Sequence, residues 1–273
     1  MLWLNQGFDR AYIIAYQEDT TSLETALQQE KIRPIVLRQT ADPALAETSG
    51  SYRCLLNHHR AWQTIAASGM PGLIVEADFV PVQGMGQLPI PYPWQHAETG
   101  VAWLYTCAPQ IYHISEEGST IGYAEGFSCS TVAYLVTPPA ATQLLDLLDW
   151  VRSQFGTQYS AWDSQLEGFL RQRGLKSYIP FRNYGEHGGV PNPEHRQHGL
   201  SSFHRADVLY GKLAFKPDYA QGDHGWKTRL QARCKGFARL LMGKYLRSQI
   251  LRRSSTPQRL LQFALLRQAT LRL

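Results

Sequence analysis

Two carboxylates one residue apart, Glu76 and Asp78, stand directly after the apolar run Leu73-Ile74-Val75. A short run of that kind reads as a buried strand, so the acids fall at a strand terminus. Hard oxygen donors at i and i+2 suit Mg²⁺ or Mn²⁺. Such an ion serves diphosphate chemistry, because it neutralises the charge that a departing diphosphate gains. Acid-x-acid alone is a weak pattern that a solvated strand end also carries, so its surroundings must decide. A second group lies far downstream. Residues 183–204 hold four of the nine histidines (His187, His195, His198 and His204) amid Gly, Pro and Asn. Zinc ligation by His187, His195 and His198 is one reading, but no HExxH motif or cysteine partner accompanies it. A loop that closes over bound ligands is another, and a surface loop of hydrogen-bonding histidines is the plain alternative.

The elements that must position these groups follow from periodicity. Residues 11–15 (AYIIA), 34–37 and 73–75 read as short buried strands, and 101–107 and 131–136 as further ones. Helices are expected over 20–30, capped by Thr20 or Thr21, and over 51–68, stopped by Gly69 and Pro71-Gly72. Two more are expected over 139–150, with proline at the start, and over 163–173, ended by Gly174. Alternating strands and helices predict an α/β fold with a mainly parallel central sheet, whose ligands gather at the carboxyl ends of the strands. Residues 183–202 read as a long ordered loop.

Charge divides the chain in two. Residues 225–273 carry twelve of the 27 Lys/Arg and none of the 22 Asp/Glu, which leaves the rest with fifteen basic and 22 acidic groups. A globular body is therefore expected over 1–223 and a basic helical tail over 224–273. In the tail's first helix Leu230, Cys234, Phe237, Leu241 and Tyr245 share a stripe; in the second, from about Gln258, Leu261, Leu265 and Ala269 do. Basic amphipathic helices suit an anionic membrane surface, with packing on the acidic body as the competing reading. Nothing resembles an RNA-recognition signature, so nucleic acid is not expected as a partner. Four scattered cysteines without a CxxC pair, no secretory signal and no spanning apolar stretch point to a cytoplasmic protein, with the inner membrane face available to the tail.

Context for the acidic pair comes from Ser51-Tyr52-Arg53-Cys54-Leu55-Leu56-Asn57-His58-His59-Arg60-Ala61-Trp62, followed by Leu73 to Asp78. This order resembles glycosyltransferase family 25, the lipopolysaccharide-type transferases. That family shows a Gly-Cys-x-x-Ser-His helix, a tryptophan, and an apolar strand ending in Glu-Asp-Asp. Residues 126–145 (GFSCSTVAYLVTPPAATQLL) resemble its later Gly-rich strand and Ala-x-x-Leu-Leu helix, and Asp163 falls where it places another acid. The likeness spans about residues 10–180. Tyr16-Gln17-Glu18-Asp19 replace the family's basic residues after the first strand, and Ala77 replaces its middle Asp.

The resemblance implies a GT-A-like nucleotide-diphospho-sugar transferase. It would be a hexosyltransferase passing a hexose from a nucleotide-sugar donor to a saccharide or lipid-linked acceptor in surface polysaccharide or lipopolysaccharide synthesis. Glu76 and Asp78 would hold the Mn²⁺ or Mg²⁺ and the donor. His58 would line the donor pocket or be a satisfied helix-face histidine. Transferases of this kind draw a late metal ligand from the C-terminal region, which makes His187 or His195 the group completing the shell with Asp78. An inverting reaction needs a base for the acceptor hydroxyl. Asp163 is the first candidate, its other reading being an N-cap for the helix beginning near Ser164, and Glu125 is the reserve. Two rivals stay open: a catalytically inactive relative that binds a partner, and a metal-dependent hydrolase built on the histidine stretch.

Overall fold

The computed structural model describes residues 2–39, 42–93, 96–107, 109–114, 122–189, 211–221 and 225–269. The amino-terminal half alternates strands and helices: β1 (Arg10–Ala15), α1 (Thr21–Gln29), β2 (Arg33–Arg38), α2 (Gly50–Ser68) and β3 (Gly72–Glu76). Local chemistry sets the ends of α2. The Ser49 side chain accepts from Tyr52 N at 3.0 Å, and Gly69 closes the helix at φ +67°, a left-handed conformation that glycine adopts without penalty. Then follow β4 (Phe79–Pro81), β5 (Thr99–Trp103), β6 (Gln110–His113), β7 (Tyr123–Phe127), β8 (Ala133–Val136), α3 (Pro138–Phe155), α4 (Asp163–Arg171), β9 (Lys176–Pro180) and β10 (Gly185–His187). The tail supplies α5 (Gly225–Leu241), α6 (Ser248–Arg253) and α7 (Pro257–Ala269).

Eight strands form one sheet in the order β2-β1-β3-β8-β5-β9-β7-β6. The β2–β1, β1–β3 and β5–β9 pairings are parallel and the other four antiparallel, so only β8 and β7 run against the remaining six strands. Helices cover the sheet, and the chain is α/β as the periodicity predicts. Alternation along the strands sorts side chains onto two faces. Tyr12, Ile14, Ile74, Trp103, Tyr134 and Val136 join α2, α3 and α4 in one core. Ala11, Ile13, Leu73, Val75, Ala102 and Leu135 join α1 and β4 in the other.

Five strands were not anticipated. β4 is three residues long and begins immediately after Asp78, and β10 lies in the stretch that reads as loop. These two pair with each other in a separate antiparallel ribbon. β6, β7 and β9 carry too little alternation to stand out. The run expected over 101–107 ends as strand at Trp103.

The tail packs against the body. Leu260, Phe263 and Ala264 of α7 are buried in the same core as α2 and α3. Arg267, 1% exposed, donates to the carbonyl oxygens of Pro180 and Phe181 and to Thr106 Oγ1 and Asn183 Oδ1. Such satisfaction is what makes a buried guanidinium tolerable. On α5, Arg229 Nε lies 3.7 Å from the buried Glu186 of β10, whose carboxylate also accepts from the Tyr219 hydroxyl. The apolar stripe of α5 faces outward: Trp226, Leu230, Phe237 and Leu241 are all exposed, while Arg233 and Gly236 are buried. Among the described residues no helix is long and apolar enough to cross a membrane.

Candidate active site

The carboxyl ends of β1, β2 and β3 meet at one edge, and α2 fixes them there. Asn57, 2% exposed, donates its amide to Ala15 O at 3.1 Å and to Leu37 O at 3.3 Å. Arg60 reaches Arg38 O at 2.9 Å and Asn57 Oδ1 at 3.0 Å. Below this edge opens a cleft of about 330 Å³, a size suited to a small ligand. Ala15, Tyr16 and Glu18 line it from the end of β1, Gln39 from the end of β2, and Arg53, Cys54 and Asn57 from α2. Glu76, Ala77 and Asp78 complete it. Both members of the acidic pair therefore face one cavity.

Glu76 is held from behind. Its Oε1 accepts from Thr131 Oγ1 at 2.8 Å and lies 3.4 Å from His58 Nε2. His58 is fully buried, its Nδ1 2.8 Å from the Tyr134 hydroxyl, which also accepts from Trp62 Nε1 at 2.9 Å. The indole can only donate, so the hydroxyl proton is best used on His58 Nδ1, which leaves the imidazole proton on Nε2, facing Glu76. Trp62, Tyr134 and Trp162 pack around that ring at centroid distances of 6.1, 5.8 and 5.1 Å. His58 thus stands behind Glu76 and outside the cleft lining.

Asp78 is held by the ribbon. β4 and β10 pair His187 with Phe79, and Gly188 N continues the pairing to Asp78 O at 2.7 Å. That register brings His187 Nε2 to 2.7 Å from Asp78 Oδ2. Burial alone would discourage a charged imidazole, but the Asp78 carboxylate, with Glu76 and Cys107 adding to it, lifts the His187 pKa to about 9. His187 could ligate a cation only after surrendering that proton. The other histidines of the stretch, His195, His198 and His204, lie outside the described residues.

Two glycines make the approach possible. A Cβ on Gly188 would stand 2.4 Å from Val80 Cγ2, and one on Gly189 would stand 2.4 Å from Asp78 Oδ2 and 3.1 Å from Asp78 Cβ. Aspartate has too short a side chain to evade that contact without turning its carboxylate. Gly189→Ala should therefore break the Asp78–His187 contact and weaken cation-dependent ligand binding at least tenfold by calorimetry, with the fold intact by circular dichroism. Binding within twofold of the parent would show that the Asp78 orientation is immaterial.

Asp163 opens α4, its Oδ1 accepting from Ser164 N at 2.8 Å. Burial, reinforced by Cys107 and Glu76 and opposed by the Ser164 bonds, raises its pKa from 3.8 to about 7. Asp163 is not part of the cleft lining; Cys107 and Glu76 act on it only through charge. Glu125 belongs elsewhere. It sits on β7, half-buried, its pKa raised by burial, among Lys176, His113 and Glu98. Sequence reasoning passed over Arg53 as a lining residue, although it sits one helical turn before Asn57 on the same side of α2. Glu18 and Tyr16 were legible only as departures from a pattern.

Glu76 and Asp78 both line the cleft and carry the oxygen donors that a hard divalent cation takes, with Asp78 Oδ2 engaged by His187. Arg53 adds one fixed positive charge to that lining.

No family model matches this chain, and no curated protein does. Among solved structures the chain is similar to a glycosyltransferase involved in glycosylation of the major capsid of PBCV-1, at 11% identity over 54% of this chain and 68% of that one, TM-score 0.34. It is also similar to a Drosophila β1,4-galactosyltransferase 7 mutant in complex with manganese, UDP-Gal and xylobiose, at 12% identity over 69% and 74%, TM-score 0.39. A third likeness is to A197 from STIV, at 11% identity over 65% and 83%, TM-score 0.34. All three scores lie below 0.5, so no residue role or activity passes from those proteins to this chain.

Proposed function

We propose that the chain is a GT-A-type, cation-dependent glycosyltransferase. It would pass a hexose from a nucleotide-sugar donor in the β1–β3 cleft to a saccharide or lipid-linked acceptor, in surface polysaccharide or lipopolysaccharide synthesis. One observation carries the reading: Glu76 and Asp78 line a single cleft at the carboxyl ends of parallel strands. Asp78 and Glu76 would hold Mn²⁺ or Mg²⁺, which when bound supplies positive charge against a departing diphosphate. Arg53 extends that charge along the cleft wall. Thr131 holds the Glu76 carboxylate in place, which limits reorganisation as charge develops. Asp163, ionised above about pH 7, accepts the acceptor hydroxyl's proton while that oxygen bonds to the anomeric carbon and the sugar–phosphate bond breaks. Attack from the face opposite the leaving group inverts that carbon.

A thermal-shift screen of nucleotide sugars tests this, since a ligand that binds only the folded state raises its stability; at 100 times Kd the gain is about 2.7 kcal/mol. The expected result is a Mn²⁺-dependent shift for one nucleotide class; no shift with any donor and either ion would overturn the reading. Glu18 favours a second reading, in which the fold binds without turnover. Its carboxylate lines the cleft close to where the diphosphate would lie. A donor shift without hydrolysis or transfer would support that alternative.

The tail gives the reading a location. Trp226, Leu230, Phe237 and Leu241 form an outward apolar row on α5, Leu241 being 88% exposed, and Lys227, Lys244, Arg247, Arg252 and Arg253 are exposed in the same tail without any acid. Each basic group near an anionic bilayer contributes about 1 kcal/mol. The protein should sediment with phosphatidylglycerol vesicles and not with phosphatidylcholine vesicles. Leu241→Glu should lower that binding at least tenfold; equal sedimentation with both vesicles would exclude charge-driven binding, and none with either would exclude a lipid role.

A further inference from the structure

Cys54 and His58 lie one helical turn apart on α2 and face the end of β3, where Glu76 stands. Cys54 Sγ, a ring nitrogen of His58 and a Glu76 carboxylate oxygen all lie within 4.8 Å of one another, with His58 Nε2 3.4 Å from Glu76 Oε1. Ligands of a tetrahedral zinc, at about 2.0 to 2.3 Å from the ion, stand roughly 3.3 to 3.8 Å apart, so modest rotamer contraction would close the triangle. His58 Nε2 is the second indication. It is buried and has no hydrogen-bond partner among the described residues, its distance to Glu76 being long for one. Cys54 lines the cleft, so a metal bound here would keep its fourth position toward that space.

We propose that Cys54, His58 and Glu76 form a site for a soft divalent transition metal, zinc above all, at the floor of the cleft. Thiolate and imidazole favour zinc or cobalt over magnesium or manganese, so this site is chemically distinct from the hard-ion pair Glu76 and Asp78. Its supporting groups are already placed. Tyr134 faces the other ring nitrogen of His58, and Thr131 holds Glu76. Outer partners of this kind orient ligands and tune their basicity. Binding converts the Cys54 thiol to thiolate and releases its proton to solvent. The His58 proton moves from Nε2 to Nδ1, so the imidazole stays neutral; the Tyr134 hydroxyl then turns its own proton away from His58 and accepts from Nδ1. Because Glu76 belongs to both sites, zinc would antagonise the Mn²⁺-dependent donor binding; this last clause rests on the transferase reading.

Cobalt titration of the full chain, without nucleotide, tests the site independently of that reading. Co²⁺ should give a near-ultraviolet thiolate-to-cobalt charge-transfer band and quench tryptophan fluorescence, since Trp62 and Trp162 ring centroids lie 6.1 and 5.1 Å from that of His58. One equivalent of Zn²⁺ should displace it. Cys54→Ser should abolish the band, whereas the Cys107→Ser, Cys129→Ser, Cys234→Ser triple variant should keep it, with all variants checked for native melting. No band in the parent protein, or a band that survives Cys54→Ser, overturns the proposal. If the band forms and a donor is known, equimolar Zn²⁺ should reduce the donor's Mn²⁺-dependent shift at least twofold. An undiminished shift would overturn the sharing of Glu76.

Discussion

Asp78→Asn should abolish the Mn²⁺-dependent shift with nucleotide sugars and lower transfer at least about a hundredfold, the scale of losing one charge-stabilising group. The amide keeps the size and one oxygen but removes the charge that a hard cation needs. A metal-free effect accompanies it. The His187 imidazolium, 2.7 Å from Asp78, loses the carboxylate that lifts its pKa from 6.5 to about 9. A raised folded pKa stabilises fully below the unfolded value and is lost as pH rises through the folded one. The rise from 6.5 to about 9 bounds the effect near 3.5 kcal/mol, and partial exposure reduces it. Calorimetric melting without metal should therefore show Asp78→Asn destabilised at pH 6 and equal to the parent above about pH 9. Unchanged donor binding together with that stability profile would assign Asp78 to the ribbon alone.

Much of this frame was legible in the sequence, and for a physical reason. Ala11 to Ala15, Leu73 to Val75 and Ala133 to Val136 are buried on both faces, so their apolar runs are continuous and announce themselves. The edge that brings Glu76 and Asp78 together follows from placing such strands in parallel. What stayed hidden are contacts made by register. His187 meets Asp78 because a three-residue strand pairs with another three-residue strand more than a hundred positions away, and neither carries a pattern long enough to detect. The outward stripe of α5 is a different lesson. Periodicity shows that Leu230, Phe237 and Leu241 share a face, but not how that face is used; the structure leaves all three exposed and buries Arg233, which stands on the same side of the helix. His58 was legible as a residue near the acids, yet its burial behind Glu76 depends on Trp62, one turn along the same helix, and on Tyr134 and Trp162, drawn from two distant segments.

Asp163→Asn separates the two roles open to that residue, because they move rate and stability in different directions. As a base, Asp163 must be ionised, so parent turnover should rise about tenfold per pH unit below about pH 7 and level off above it. The amide cannot accept the proton, and turnover should fall about 10²- to 10⁴-fold with donor binding retained. Stability should change the opposite way. An acid whose folded pKa of about 7 lies above the ordinary 3.8 is penalised once the unfolded chain ionises, and the penalty grows from about pH 4 until it is complete above pH 7. The rise from 3.8 to about 7 sets a ceiling near 4 kcal/mol, and the partial exposure of the group screens it to about half of that. The asparagine still offers an oxygen to Ser164 N, so the helix start is preserved. Asp163→Asn should therefore melt higher than the parent at pH 8 and equal to it at pH 4. A variant that is stabilised yet still turns over within threefold of the parent would remove Asp163 from the reaction.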